Sequence, residues 1–132
     1  ITEVSVVGED EFEGYLITYG GMVGLGLEVI WDVFLEEEKT LKLIVLEQIS
    51  PLNKRLLKSI KSGKNVYCLE EGIAEGGFSA EVARVLMESD KNINNYKSFA
   101  AKNKVIGAAK SLESYVLPNK KRVVAELKGS WR

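Results

Sequence analysis

The sequence predicts a three-layer α/β/α sandwich on a sheet of about five strands, and three observations lead to that class. Short apolar runs, "YLITY", "KLIVLE" and "NVYCLE", read as strands covered on both faces. Segments with helical spacing of apolar residues separate them, so strand and helix alternate, which implies parallel pairing with helices on both faces. The length, 132 residues, suits one domain with one ordinary core.

The elements follow in order. "EVSVV", from Glu3 to Val7, reads as a short strand, and the acidic, glycine-bounded stretch from Gly8 to Gly14 as a turn. Tyr15 to Tyr19 is β-branched and aromatic, a buried strand. The period then changes. Val23, Leu27, Ile30 and Phe34 form one helical stripe within Met22 to Glu38, with Glu28, Asp32 and Glu36 away from it. Lys42 to Glu47 is the next strand. Ser50 suits the cap of the following helix, Pro51 its first turn and Gly63 its end. Leu52, Leu56, Leu57 and Ile60 form its apolar face, and Lys54, Arg55, Lys58 and Lys61 its wet one.

Asn65 to Glu70 is a third buried strand, and a glycine loop from Glu71 to Gly77 leads to a helix over Ser79 to Ser89. Val82, Ala83 and Leu86 should face inward there. Asn95 to Lys102 fits an edge strand, and a last helix turns Val123, Val124 and Leu127 inward.

Composition excludes several functions. With 18 basic and 19 acidic residues the net charge is −1, which gives no field for gathering nucleic acid or an anionic membrane. No apolar run approaches the ~18 residues of a membrane span. No secretory leader is evident, and a cytoplasmic setting is expected. Histidine is absent, which removes imidazole as base or metal ligand. Cys68 is the single cysteine, inside an apolar strand, and reads as a small buried hydrophobe.

Three places could carry chemistry. The first is the strand–glycine–helix turn at Gly20. A dinucleotide turn needs G-x-G-x-x-G, but Gly21, Gly24 and Gly26 follow the reverse spacing, and Met22 and Val23 fill the turn. A structural turn, with glycines for close packing, is the simpler reading. The second is the start of the helix after the glycine loop, at Gly76, Gly77, Phe78 and Ser79. Free amides there can hold an anion. Glu70, Glu71 and Glu75 crowd its approach, so a tight loop with a helix cap is the competing reading. The third is the set of strand-end carboxylates Glu47, Glu70 and Glu71. With no histidine and no metal-ligand spacing, they read as solvated charges or interface contacts rather than as an acid–base pair.

Together these motifs resemble the C-terminal domain of the transketolase family of thiamine-diphosphate enzymes. "LITYGGMVGLGLEVI" is similar to that family's strand, Y-G-x-M turn and helix. "EQISPLNKRLLKSI" is similar to its P-L-[DN] segment, and "NVYCLEEGIAEGGFSAEVARVL" to its strand, E-E-G, loop and G-G-F helix. "SYVLPNKKRVVAEL" resembles its final L-P turn and helix. The likeness runs from about Glu13 to Leu127 in matching order. "ISPLN" departs from the usual basic residue before P-L-D, and Ser79 stands where many relatives have glycine.

The resemblance implies a mixed five-stranded sheet with the first strand, "EVSVV", antiparallel to the others. It implies that residues 1–132 are a C-terminal-like domain of a longer chain, an expectation that the start at Ile1 also raises. Thiamine diphosphate and a divalent metal would sit between two other domains, one binding the diphosphate and one the pyrimidine. This chain would hold no cofactor, no metal and no catalytic residue. Its partners would be those two domains, in a parent homodimer performing two-carbon ketol transfer, as in transketolase or deoxyxylulose-phosphate synthase. A β subunit of a 2-oxo acid dehydrogenase or oxidoreductase is the alternative parent. A freestanding regulator that binds a phosphorylated metabolite at Gly76 to Ser79 is a third reading.

Overall fold

The computed structural model describes residues 1–6, 11–47, 55–73, 77–101 and 119–131. Five strands form one sheet in the order β1-β3-β2-β4-β5. They are β1 (Thr2–Val4), β2 (Gly14–Tyr19), β3 (Leu41–Leu46), β4 (Asn65–Ile73) and β5 (Asn95–Ala101). Among the described residues four α-helices flank them: α1 (Val23–Glu37), α2 (Arg55–Ser59), α3 (Phe78–Glu88) and α4 (Lys120–Ser130). β1 runs antiparallel to β3, and the remaining pairs are parallel. The mixed sheet with an antiparallel first strand is therefore present, with β1 shorter than the sequence suggests.

Side-chain alternation along the strands sorts the core into two layers. Leu16, Leu43, Tyr67, Leu69 and Phe99 point to one face and pack with Val29, Ile30 and Val33 of α1 and Val123, Val124 and Leu127 of α4. Tyr15, Ile17, Ile44, Val66 and Cys68 point to the other and meet Leu56 of α2 and Val82 and Leu86 of α3. β2 lies at the centre and is buried along five of its six residues. Gly14 opens it where strands crowd: a Cβ there would collide with the Asn65 carbonyl of β4.

Ser50, Pro51, Leu52 and Lys54, together with the L-P turn at Leu117 and Pro118, lie outside the described residues. Where α2 is described, Leu56 and Ile60 are buried and Leu57 is partly so, while Arg55, Lys58 and Lys61 are exposed. Gly63 follows in a turn at φ +84° rather than directly at the helix end. α4 starts on Asn119, whose side chain accepts the Arg122 amide at 2.9 Å, a capping bond.

One expectation needs correcting. The stripe Val23, Leu27, Ile30 and Phe34 is not the inner face of α1. The buried positions are Gly26, Val29, Ile30 and Val33, whereas Leu27 is 42% exposed. The reason is Gly26. A Cβ there would stand 2.9 Å from Leu43 Cδ1 on β3, so the helix rests its glycine directly on the sheet and rotates about its axis to do so.

Candidate functional site

The carboxyl ends of the parallel strands are where ligands gather in open α/β sheets. β2 ends there at Tyr19 and passes into a 3-10 turn, Gly20–Met22. Gly20 has φ +56°, which favours glycine, and the Glu71 carboxylate lies so close to Gly21 that a Cβ would stand 2.8 Å from its Oε1. The glycine pair thus serves a left-handed turn and a close approach from β4. Gly24, by contrast, faces open space.

Strand parity carries Glu70 to the same face as Val66 and Cys68, beneath α3. Its carboxylate is fully buried. Oε2 accepts the Ser79 amide at 2.8 Å and Oε1 accepts the Ser79 hydroxyl at 3.2 Å. The residue at the N-cap position, Gly77, has no side chain to offer, so the cap comes from β4 across the loop. Burial raises the Glu70 pKa above the ordinary carboxylate value, and the bonds from Ser79 and the Phe78 amide oppose that rise.

The network continues to β5. The Tyr96 hydroxyl donates to the Ser79 carbonyl at 2.5 Å. Burial pushes the Tyr96 phenol and the Cys68 thiol upward, so both stay protonated at neutral pH. Tyr19 meets Phe78 edge to face at 4.6 Å between centroids, and its phenol is raised by burial and then by the Glu70 and Glu71 charges. These contacts fasten the start of α3 to β2, β4 and β5.

The three strand-end carboxylates do not converge. Glu47 is exposed at the end of β3 and accepts the Thr2 hydroxyl at 3.0 Å, which ties it to β1. Glu71 is exposed beside the glycine turn. Glu70 is the departure from the solvated reading. Nothing in residue type distinguishes it from Glu71; strand parity alone could have placed it under α3. Of the expected anion-binding residues, Gly76 lies outside the described residues, Gly77 stands at the start of α3, and Phe78 and Ser79 are buried. An external anion at this helix start would share Ser79 with Glu70.

A second feature lies on the opposite layer. Leu27, Trp31 and Leu35 recur at i, i+4 and i+8 on the outer side of α1, and they are 42%, 51% and 59% exposed. Phe34 lies half-buried beside them, its ring centroid 6.3 Å from that of Trp31. Sequence reading missed Trp31 and Leu35. The available signal was that nine of the fifteen α1 residues are apolar, too many for a helix with one wet side.

Among the described residues no group of three or more cysteine or carboxylate side chains is placed to hold a metal ion. No helix of the described residues is long and apolar enough to cross a membrane.

The architecture is that of a three-layer α/β domain whose buried strand-end carboxylate, Glu70, serves its own helix start. A protein-family model described as "Transketolase, C-terminal domain" matches residues 4–123. The chain belongs to that family. A solved structure of a split gene transketolase, an inactive beta4 tetramer, superposes with a TM-score of 0.75 at 19% identity. The likeness covers 96% of this chain and 41% of that one, so the chain spans less than half of the transketolase it matches. At that identity the likeness shows the fold. Comparison with curated protein sequences gives no match.

Proposed function

We propose that this domain is the non-catalytic C-terminal part of a thiamine-diphosphate-dependent, transketolase-like enzyme that transfers two-carbon ketol units. Its role is assembly. It packs against the pyrimidine-binding and diphosphate-binding domains and helps join two copies of the parent enzyme. The cofactor supplies the carbanion chemistry in those other domains. Taken alone, this chain turns over no ketose.

The observation that carries this reading is the outer face of α1. Leu27, Trp31 and Leu35 form a continuous apolar ridge, and among the described residues the other large exposed hydrophobic, Met87, stands alone on α3. Such patches mark protein interfaces, and tryptophan is the residue type most often found at their energetic centre. Family membership supports the companion domains of a parent enzyme as what covers it. The split-gene neighbour supports the idea that a chain containing such a domain can be encoded apart from the rest of its enzyme.

The test is Trp31→Glu in the complete enzyme. Loss of a central aromatic contact costs about 2 kcal/mol or more of assembly energy, roughly thirtyfold in affinity. Ketol transfer should fall with dissociation and recover at high protein concentration. Unchanged assembly and unchanged activity at low concentration would remove α1 from the interface.

A further inference from the structure

A groove of about 620 Å³ runs along the opposite sheet face, between the β1–β3 edge and α2. Its lining includes Tyr15, Lys42, Arg55, Lys58 and Lys61, with Glu3 as the one carboxylate among the described residues that line it. This lies on the α2 layer, away from the α1 ridge, and the argument for it is independent of the assembly role.

Charge sets the groove apart. Several lysines elsewhere pair with acids, Lys39 with Glu13, Lys120 with Asp32 and Lys128 with Glu36. Lys91 and Lys121, unpaired among the described residues, do not share a groove with other unpaired lysines. Lys42, Lys58 and Lys61 have no carboxylate within ion-pair distance among the described residues. All three line the one groove, and two of them, Lys42 and Lys61, share the Phe12 ring with Lys64. The ammonium groups of Lys42 and Lys64 each lie 4.3 Å from the centroid of the Phe12 ring, and that of Lys61 lies 5.9 Å away. Aromatic faces attract single cations, but three around one ring repel each other, and a shared counter-anion relieves that repulsion.

Tyr15 adds a neutral donor. Its hydroxyl accepts the Lys61 amide at 3.0 Å, and its own proton meets no acceptor among the described residues. Burial raises its pKa, so the proton stays. One phenol donor beside three ammonium groups is a set suited to oxyanions, ammonium being a usual partner of phosphate. The groove's volume falls in the range of small-molecule sites. The chain's overall charge of −1 and the localised basic lining fit a small ligand better than a polynucleotide track.

We propose that this groove binds a small, multiply charged phosphate compound, held by Lys42, Lys58, Lys61 and the Tyr15 hydroxyl.

The experiment is titration of the purified chain with inorganic pyrophosphate, followed by calorimetry and by amide chemical shifts. Saturable one-to-one binding at about 1 mM or tighter is expected. Shifts should be confined to β1, β3, the start of β2 around Tyr15, and residues 55–61. Lys42→Gln with Lys58→Gln should weaken binding about tenfold or more, while Lys91→Gln with Lys121→Gln, the same charge change elsewhere, should leave it within about twofold. These side chains are at least partly exposed, so the variants keep the fold. Absence of saturable binding overturns the proposal. So does equal weakening by both pairs, which would mean diffuse attraction, and so does an acidic peptide binding in place of pyrophosphate. Shifts centred on Gly77 to Ser79 would move the anion to the α3 start and likewise overturn it. None of these outcomes bears on the α1 interface.

Discussion

Helices α1 and α3 cover opposite faces of the same sheet, and their outer sides differ. On α3, Arg84 bridges Glu81 and Glu88, one turn away in each direction, and Met87 is a single exposed apolar residue. That surface suits water. On α1, Leu27, Trp31 and Leu35 occupy the corresponding side, and its acids Asp32 and Glu36 are drawn sideways to Lys120 and Lys128 of α4. The ion pairs fix the α1–α4 layer while leaving the ridge clear. Two helices of one core therefore differ outside it: α3 presents a wet surface, and α1 presents the apolar ridge on which the proposed assembly role rests.

Substitutions can break or sharpen that contrast. The largest effect is expected on the inner face of α1. Val33 is fully buried against the sheet, and Val33→Asp should cost about 3 kcal/mol or more, lowering the melting temperature by roughly ten degrees. Calorimetry checks this. Moving two positions to Trp31→Glu should change stability by no more than about 0.5 kcal/mol while disrupting assembly. If both substitutions unfolded the chain equally, the outer face would be structural and the contrast would collapse.

The next effect concerns the start of α3. Glu70→Ala leaves the Ser79 amide and hydroxyl buried without their acceptor and should cost about 1–3 kcal/mol. Glu70→Gln keeps one acceptor and isolates the ionisation. The folded-state pKa of Glu70 is raised, so the fold favours the protonated acid. Its contribution is present below the unfolded value and is lost as pH rises through the raised folded value. The stability difference should therefore shift in favour of Glu70→Gln as pH rises from below 4.5, the reference value, toward neutrality. Urea denaturation across that range reads it; a difference independent of pH would contradict the buried ionisable cap. The smallest effect belongs to Arg84→Ala on the wet side of α3, where melting temperature and assembly should both stay near the native values.

Much of this fold was readable from residue pattern because burial on both faces leaves a strong mark. β2 and the first five residues of β4, Asn65 to Leu69, announce themselves as runs with no charge inside, and Cys68 follows them into the core. Val123, Val124 and Leu127 of α4 also lie where their spacing puts them. The antiparallel β1 was legible only through family resemblance, since three residues on an edge carry little period of their own. The rotation of α1 was hidden for a different reason. Apolar spacing finds a buried face when the other face is polar, and α1 is apolar nearly all round. Its true contact surface is marked by a glycine, which hydrophobicity does not count. Glu70 was misread because a carboxylate at a strand end is ordinarily wet. Here a glycine loop returns the chain over it, and the contact links residues nine apart through a cap that local sequence does not spell out.

The central claim, that the α1 ridge is covered by the rest of a transketolase-like enzyme, is tested most directly by hydroxyl-radical footprinting of Trp31. In the free chain this indole is about half exposed and should oxidise readily. In the complete enzyme its oxidation should drop sharply while that of Met87, on the wet helix, stays high. Equal oxidation of Trp31 in the free chain and in the complete enzyme would contradict the account.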